Sequence, residues 1–177
     1  LLLDDFFTWS KVQNPEIQLE LEPLSFKALF TETLLSFYPV FSEKEIDPVI
    51  VMDEENPLMI EADPAALERI LQNLIKNALQ HGKGGIECKA WQDGDDFFFS
   101  LSNLIDAGEE LAVERLFDTT YRSDVARSSR ESSGLGLSIA KSLSQKMGFE
   151  LTAELVDDRL TFILSQRGKP AHWMSAQ

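Results

Sequence analysis
Asn73, Asn77 and Gln80 stand at i, i+4 and i+7 in a stretch with helical apolar spacing. At ~100° per residue they share one flank of the apolar stripe, between core and solvent. Asparagine is a middling helix former, so propensity does not explain the pair. Its carbonyl can ligate a hard cation such as Mg²⁺, and its amide can donate to phosphate oxygens. The plainer alternative is two solvated or cap-like asparagines. A second group is Ser132-Ser133-Gly134-Leu135-Gly136-Leu137, which opens a helix behind a polar stretch. Glycine lets the backbone approach an anion, and free N–H groups at a helix start attract phosphate. Such a segment also serves as an ordinary loop-to-helix junction. The stretch before it carries Arg122, Arg127 and Arg130, which are either phosphate contacts or part of a solvated loop of mixed charge. Phe117 and Tyr121 flank the start of that loop, to anchor it on the core or to pack a nucleotide.

These residues need elements to hold them. Residues 1–13 read as the end of a helix, broken by Asn14-Pro15. Gln18–Leu21 alternates like a short strand. Ser25 reads as an N-cap, and Phe26, Leu29, Phe30, Thr33, Leu34, Phe37 and Phe41 predict one helix. Residues 48–52 and 58–60 form a strand pair. Asp63-Pro64 starts a helix with the stripe Leu67, Ile70, Leu71, Leu74, Ile75 and Ala78, stopping near His81-Gly82. Residues 86–91 and 97–101 make a hairpin through Asp93-Gly94, and 109–117 a short helix. Residues 118–133 form a long polar loop. A helix over 134–147 and a strand pair over 149–155 and 159–164 complete the chain. Hairpins alternating with helices predict an α+β two-layer sandwich, a mixed, mostly antiparallel sheet with helices on one face.

The composition narrows the function. Asp plus Glu outnumber Lys plus Arg by 30 to 16, a net charge of −14 in 177 residues. That excludes an electrostatic nucleic-acid binder and disfavours an anionic membrane surface. One cysteine and two histidines leave no disulfide framework and little for a metal cluster. No signal peptide or membrane span is visible. Leu1 rather than Met opens the chain, which reads as a piece of something longer.

Together the segments resemble a known family. Residues 73–81 (NLIKNALQH) resemble the N box of sensor histidine kinases, 116–124 (LFDTTYRSD) the F box and 133–141 (SGLGLSIAK) the G2 box. Glu61-Ala62-Asp63-Pro64 matches the family's lead-in to the N box. The likeness covers about residues 18–165, with the motifs in family order. It implies the catalytic, ATP-binding domain of a bacterial two-component sensor kinase, with the Bergerat (GHKL) fold. Residues 16–166 would be that domain, 118–133 its lid, 1–15 the end of a dimerisation and phosphoacceptor hairpin, and 167–177 an aperiodic tail.

By that resemblance Asn77 ligates Mg²⁺ at the ATP phosphates, with Asn73 beside it and Gln80 and His81 nearby. Arg122 is the F-box basic residue, and Gly134 and Gly136, within Ser133–Leu137, hold phosphate-facing backbone. The expected reaction transfers the ATP γ-phosphoryl group to an upstream histidine, and a response regulator is the onward partner. The parent is expected to be a membrane-anchored homodimer with this domain in the cytoplasm, and the fragment a monomer. Two departures stand out. The family's adenine-binding Asp-x-Gly-x-Gly falls on Asn103-Leu104-Ile105-Asp106-Ala107, so Asn103 replaces the acid and the glycines are missing; Asp106 is the alternative acceptor. Gln80 stands where a basic residue is common. The related ATPases carry Glu four residues before the metal-binding Asn, and here that position is Asn73, which favours transfer over hydrolysis. A nucleotide-binding scaffold and an anti-sigma-factor-type serine kinase are the competing readings.

Overall fold
A computed structural model describes residues 9–12, 14, 18–106, 111–118 and 134–168. The elements run β1 (Glu22–Ser25), α1 (Phe26–Ser36), α2 (Tyr38–Glu43), β2 (Val49–Met52), β3 (Met59–Ala62), α3 (Pro64–His81), β4 (Glu87–Asp93) and β5 (Asp96–Leu104), then a 3₁₀ turn (Val113–Arg115), α4 (Gly136–Lys146), β6 (Glu150–Val156) and β7 (Arg159–Gln166). Five strands form one sheet in the order β2-β4-β5-β7-β6. Only β2 and β4 are parallel; the other neighbours are antiparallel.

The register explains the two layers. Cys88, Leu101 and Phe162 lie in one row, and Ala90, Phe99, Leu164 and Leu151 in the next, all buried on one face. Against them α3 sets Leu67, Ile70, Leu71, Leu74, Ile75 and Ala78, and α4 sets Ile139, Ala140 and Leu143. Phe26 and Phe30 of α1 meet Phe99 at 5.1 and 5.2 Å between ring centroids, and Phe26 meets Phe97 at 4.8 Å. Such tilted pairs add to area burial. This is the α+β sandwich with helices on one face that the pattern predicts.

Local chemistry sets the helix ends. The Ser25 side chain accepts from the Ala28 N–H and caps α1. Asp63 caps α3 through Ala66 N at 2.9 Å, and its other oxygen accepts from Glu20 N at 3.0 Å. One carboxylate thus ties the segment before β1 to the helix carrying Asn73 and Asn77. Val12, in the helical residues 9–12, is buried in the core.

Several expectations are corrected. The early strand is Glu22–Ser25 rather than 18–21, because pairing with Met59–Ala62 decides its position, not alternation. The helix expected to reach Phe41 ends at Ser36 and restarts at Tyr38, since Pro39 suits a first turn and not a helix interior. β2 and β3 do not pair: β2 joins the large sheet, and β3 pairs with β1 in a separate two-stranded sheet. Within 109–117 the described helical structure is the 3₁₀ turn alone. Of the expected lid, 119–133 lies outside the described residues, as do most of 1–15 and 169–177. Among the described residues no helix is long and apolar enough to cross a membrane.

Candidate functional site
Three elements converge beside α3. Asn73 is 7% exposed and Asn77, one turn later, is half-buried. Gln80 is exposed and His81 half-buried at the helix end. α4 packs on α3 so closely that a Cβ built on Gly136 would lie 3.3 Å from Asn73 Oδ1. A side chain there would push the asparagine aside. Gly134 turns the chain into α4 with φ of 70°, and Leu135 is the N-cap residue. Among the described residues no side chain caps this helix start, and its first-turn N–H groups and the positive end of its dipole point back along the chain. Leu137, like Leu135, packs against the core.

The third element is the end of β5. Asn103 is 1% exposed. Its Nδ2 donates to the Leu104 carbonyl at 3.0 Å. The loop after α3 is laced onto this strand end: Lys83 N donates to Leu104 O at 2.7 Å, and Leu104 N to Gly84 O at 3.0 Å. Gly82 lies against the Asn103 amide, where an added Cβ would come within 2.8 Å of Nδ2. Asp106 lies elsewhere, in an exposed ion pair with Lys83 at 3.0 Å.

At the site, Asn73 Nδ2 and Asn103 Oδ1 are buried and have no hydrogen-bond partner among the described residues. Each such atom costs about 1–3 kcal/mol unless a ligand or water satisfies it. One is a donor on the helix face that Gly136 approaches, and the other an acceptor at the end of β5. That set suits an anion at one end and an amino-bearing group at the other. Among the described residues no three His, Cys, Asp or Glu side chains cluster to hold a metal. A cation here would rely on a neutral carbonyl such as that of Asn77 and on the ligand's own oxygens.

The structure brings Gly136 against Asn73 and Gly82 against Asn103. Phe117 instead meets Phe162 edge-on at 6.2 Å, with the Lys141 ammonium 5.3 Å from its ring centre. Tyr121, Arg122, Arg127, Arg130 and Ser133 lie outside the described residues. The sequence reading missed Gly82 as a packing residue. Its φ is −76°, so it is not the left-handed helix terminator its place suggests. The geometry also gives a reason for Asn103. A carboxylate there would face the Leu104 carbonyl with no proton to donate. Asn103→Asp is expected to lower stability by about 2 kcal/mol through the lost bond and the buried charge. Thermal unfolding of the two proteins without nucleotide tests this, and equal midpoints would refute it.

Residues 62–168 match the family described as histidine kinase-, DNA gyrase B-, and HSP90-like ATPase. The sensor histidine kinase YcbM of Bacillus subtilis is 27% identical over 151 residues, covering 83% of this chain and 48% of that protein. The chain therefore spans about half the length of that relative, and 17% of the sensor histidine kinase GacS of Pseudomonas protegens, to which it is 27% identical over 85% of its own length. Among solved structures, full-length ShkA in complex with AMPPNP superposes with a TM-score of 0.80 at 24% identity, over 96% of this chain and 36% of that one. The histidine kinase ThkA in complex with the response regulator TrrA gives 0.74 at 21% identity, over 93% and 46%.

Proposed function
The chain belongs to the histidine kinase-, DNA gyrase B-, and HSP90-like ATPase family, and from that premise we propose that it is the ATP-binding catalytic domain of a sensor histidine kinase. The observation that carries this reading is the approach of Gly136 to Asn73, which sets the glycine-rich start of α4 against the helix that carries both asparagines. The activity is transfer of the ATP γ-phosphoryl group to a histidine nitrogen in an upstream dimerisation domain. Phosphoryl transfer asks the protein mainly for position and charge neutralisation.

The site residues divide the work. The N–H groups opening α4 bind phosphate oxygens. Asn73 Nδ2 donates to the same oxygens. Asn103 Oδ1 accepts from the adenine amino group, a neutral counterpart of the family's acid. Asn77 is the protein ligand for Mg²⁺, which when bound offsets phosphate charge. Gln80 and His81 border the phosphates, and Arg122, Arg127 and Arg130 add cationic contacts. Asn73 cannot take a proton from water as a carboxylate would, so transfer to a side chain is favoured over hydrolysis. The partners are the upstream domain, as a homodimer in a membrane-anchored parent, and a response regulator, with this domain in the cytoplasm. The replaced acid at Asn103 supports a second reading, a nucleotide-binding scaffold with weak catalysis.

The test joins the chain to a helical hairpin carrying the acceptor histidine. Acid-labile, alkali-stable phosphate is expected with Mg-ATP. The 177-residue chain alone is expected to bind Mg-ATP without labelling itself. No labelling of the joined protein, with Mg-ATP binding intact, would favour the scaffold. Phosphohistidine on the chain alone would refute the division of labour.

A further inference from the structure
Among the described residues β2 ends the five-stranded sheet and is bonded only to β4. Val49 N donates to Ile86 O at 2.9 Å, so Val49 and Val51 direct their backbone groups at β4. Strand alternation then turns the N–H and C=O of Ile50 and Met52 outward. Val49, Ile50 and Val51 are 55%, 38% and 48% exposed. An apolar run on an open edge invites another strand, and proteins usually cover or charge such edges. Here the charge lies at both ends, net acidic at each: Glu43, Glu45 and Asp47 with Lys44 among them before the strand, and Asp53, Glu54 and Glu55 after it.

An open groove adjoins the strand's acidic end. Its volume is about 550 Å³, with Ala28, Leu35 and Pro57 as apolar lining and Glu32, Glu54 and Glu55 as acidic lining. Lys27 also borders it, but its ammonium donates to the carbonyls of Asp53 and Glu54 and so pins the loop that follows β2. Lys89, on the strand next to β2, is paired with Glu87 at 2.8 Å.

We propose that β2 and this groove are a docking surface for an extended, basic segment of a partner protein, which adds to the sheet as a further strand. Charge selects the occupant. A second copy paired antiparallel on β2 would set Asp53, Glu54 and Glu55 against Glu43, Glu45 and Asp47, like charges across the seam. A segment alternating apolar residues with lysine or arginine covers Val49 and Val51 and places cations at the acidic ends. β4 separates this edge from the strand of Asn103, so the surface is independent of the nucleotide reading.

The probe is a dye-labelled heptapeptide, Arg-Val-Lys-Val-Arg-Val-Lys, titrated with the 177-residue chain and followed by fluorescence anisotropy. Saturable binding is expected. It should weaken about tenfold or more in Ile50→Pro, which removes an outward donor and spares the bonds to β4. The double variant Glu54→Lys, Glu55→Lys, which leaves the strand intact, should weaken it similarly. Both variants should keep the parent's circular dichroism; if Ile50→Pro does not, the charge-reversed variant decides. No binding would overturn the proposal. So would equal binding by a peptide of the same charge with a central proline, because attraction without strand addition would then suffice. Dimerisation through β2, seen by sedimentation and abolished by the charge reversal, would overturn it in favour of a second copy.

Discussion
Asn77→Ala is expected to remove Mg²⁺-dependent ATP binding while leaving the fold intact. Asn77 is half-buried on the flank of α3, outside the buried stripe. Alanine is the better helix former, so helix stability holds or rises slightly. What is lost is the amide one turn beyond Asn73 on α3. Removing a metal ligand on this reading should cost at least about 100-fold in affinity, or ~2.7 kcal/mol. Calorimetric titration with ATP, with and without Mg²⁺, measures it. The parent should show a large Mg²⁺ dependence and the variant almost none. The same substitution should abolish labelling of the acceptor histidine in the joined protein. An unchanged titration would take the metal away from Asn77 and leave the N-box resemblance without its central residue.

Gly82→Ala is expected to damage both stability and the base end of the site. Its φ of −76° is open to any residue, so backbone strain is not the reason. The reason is crowding. A Cβ would overlap the Ala78 carbonyl oxygen and press to 2.8 Å on Asn103 Nδ2. Asn103 is almost fully buried and its Nδ2 is held by Leu104 O, so moving it aside breaks that bond. Overpacking of this kind costs about 1–3 kcal/mol. For a chain of this size that lowers the midpoint by roughly 2–10 °C. Because the strain falls on Asn103, Asn103→Ser in the same chain should recover part of the loss, a coupling that a double-mutant cycle reads. An unchanged melting temperature in Gly82→Ala would show that the loop after α3 yields freely, and that Gly82 does not position Asn103.

The two variants separate what was legible from what was not. Asn73 and Asn77 could be placed on one helix flank because 3.6 residues per turn and an N-cap at Asp63-Pro64 fix the phase of α3 from local sequence. The uncapped glycine-rich start of α4 was equally local. The hairpins and the two-layer class followed from alternation and turn residues. Gly82 reads as a helix stop because the sequence shows a glycine after a helix and not what lies against it. Likewise the apolar spacing runs across Pro39 to Phe41, although the effect of Pro39 on the chain is local.

What the sequence determined by itself is the set of chemical groups and their phase along each element, since both depend on neighbours a few residues away. Tertiary structure alone decided the rest. It parted β2 from β3, because strand pairing is settled by partners distant in the chain. It brought Gly136 against Asn73 and Gly82 against Asn103, with Asn73 Nδ2 and Asn103 Oδ1 buried and unbonded among the described residues. It also buried Asn103 at the end of β5 and left Asp106 in a solvated ion pair. Burial is a property of the packed whole, and it fixes which polar atoms remain for a ligand.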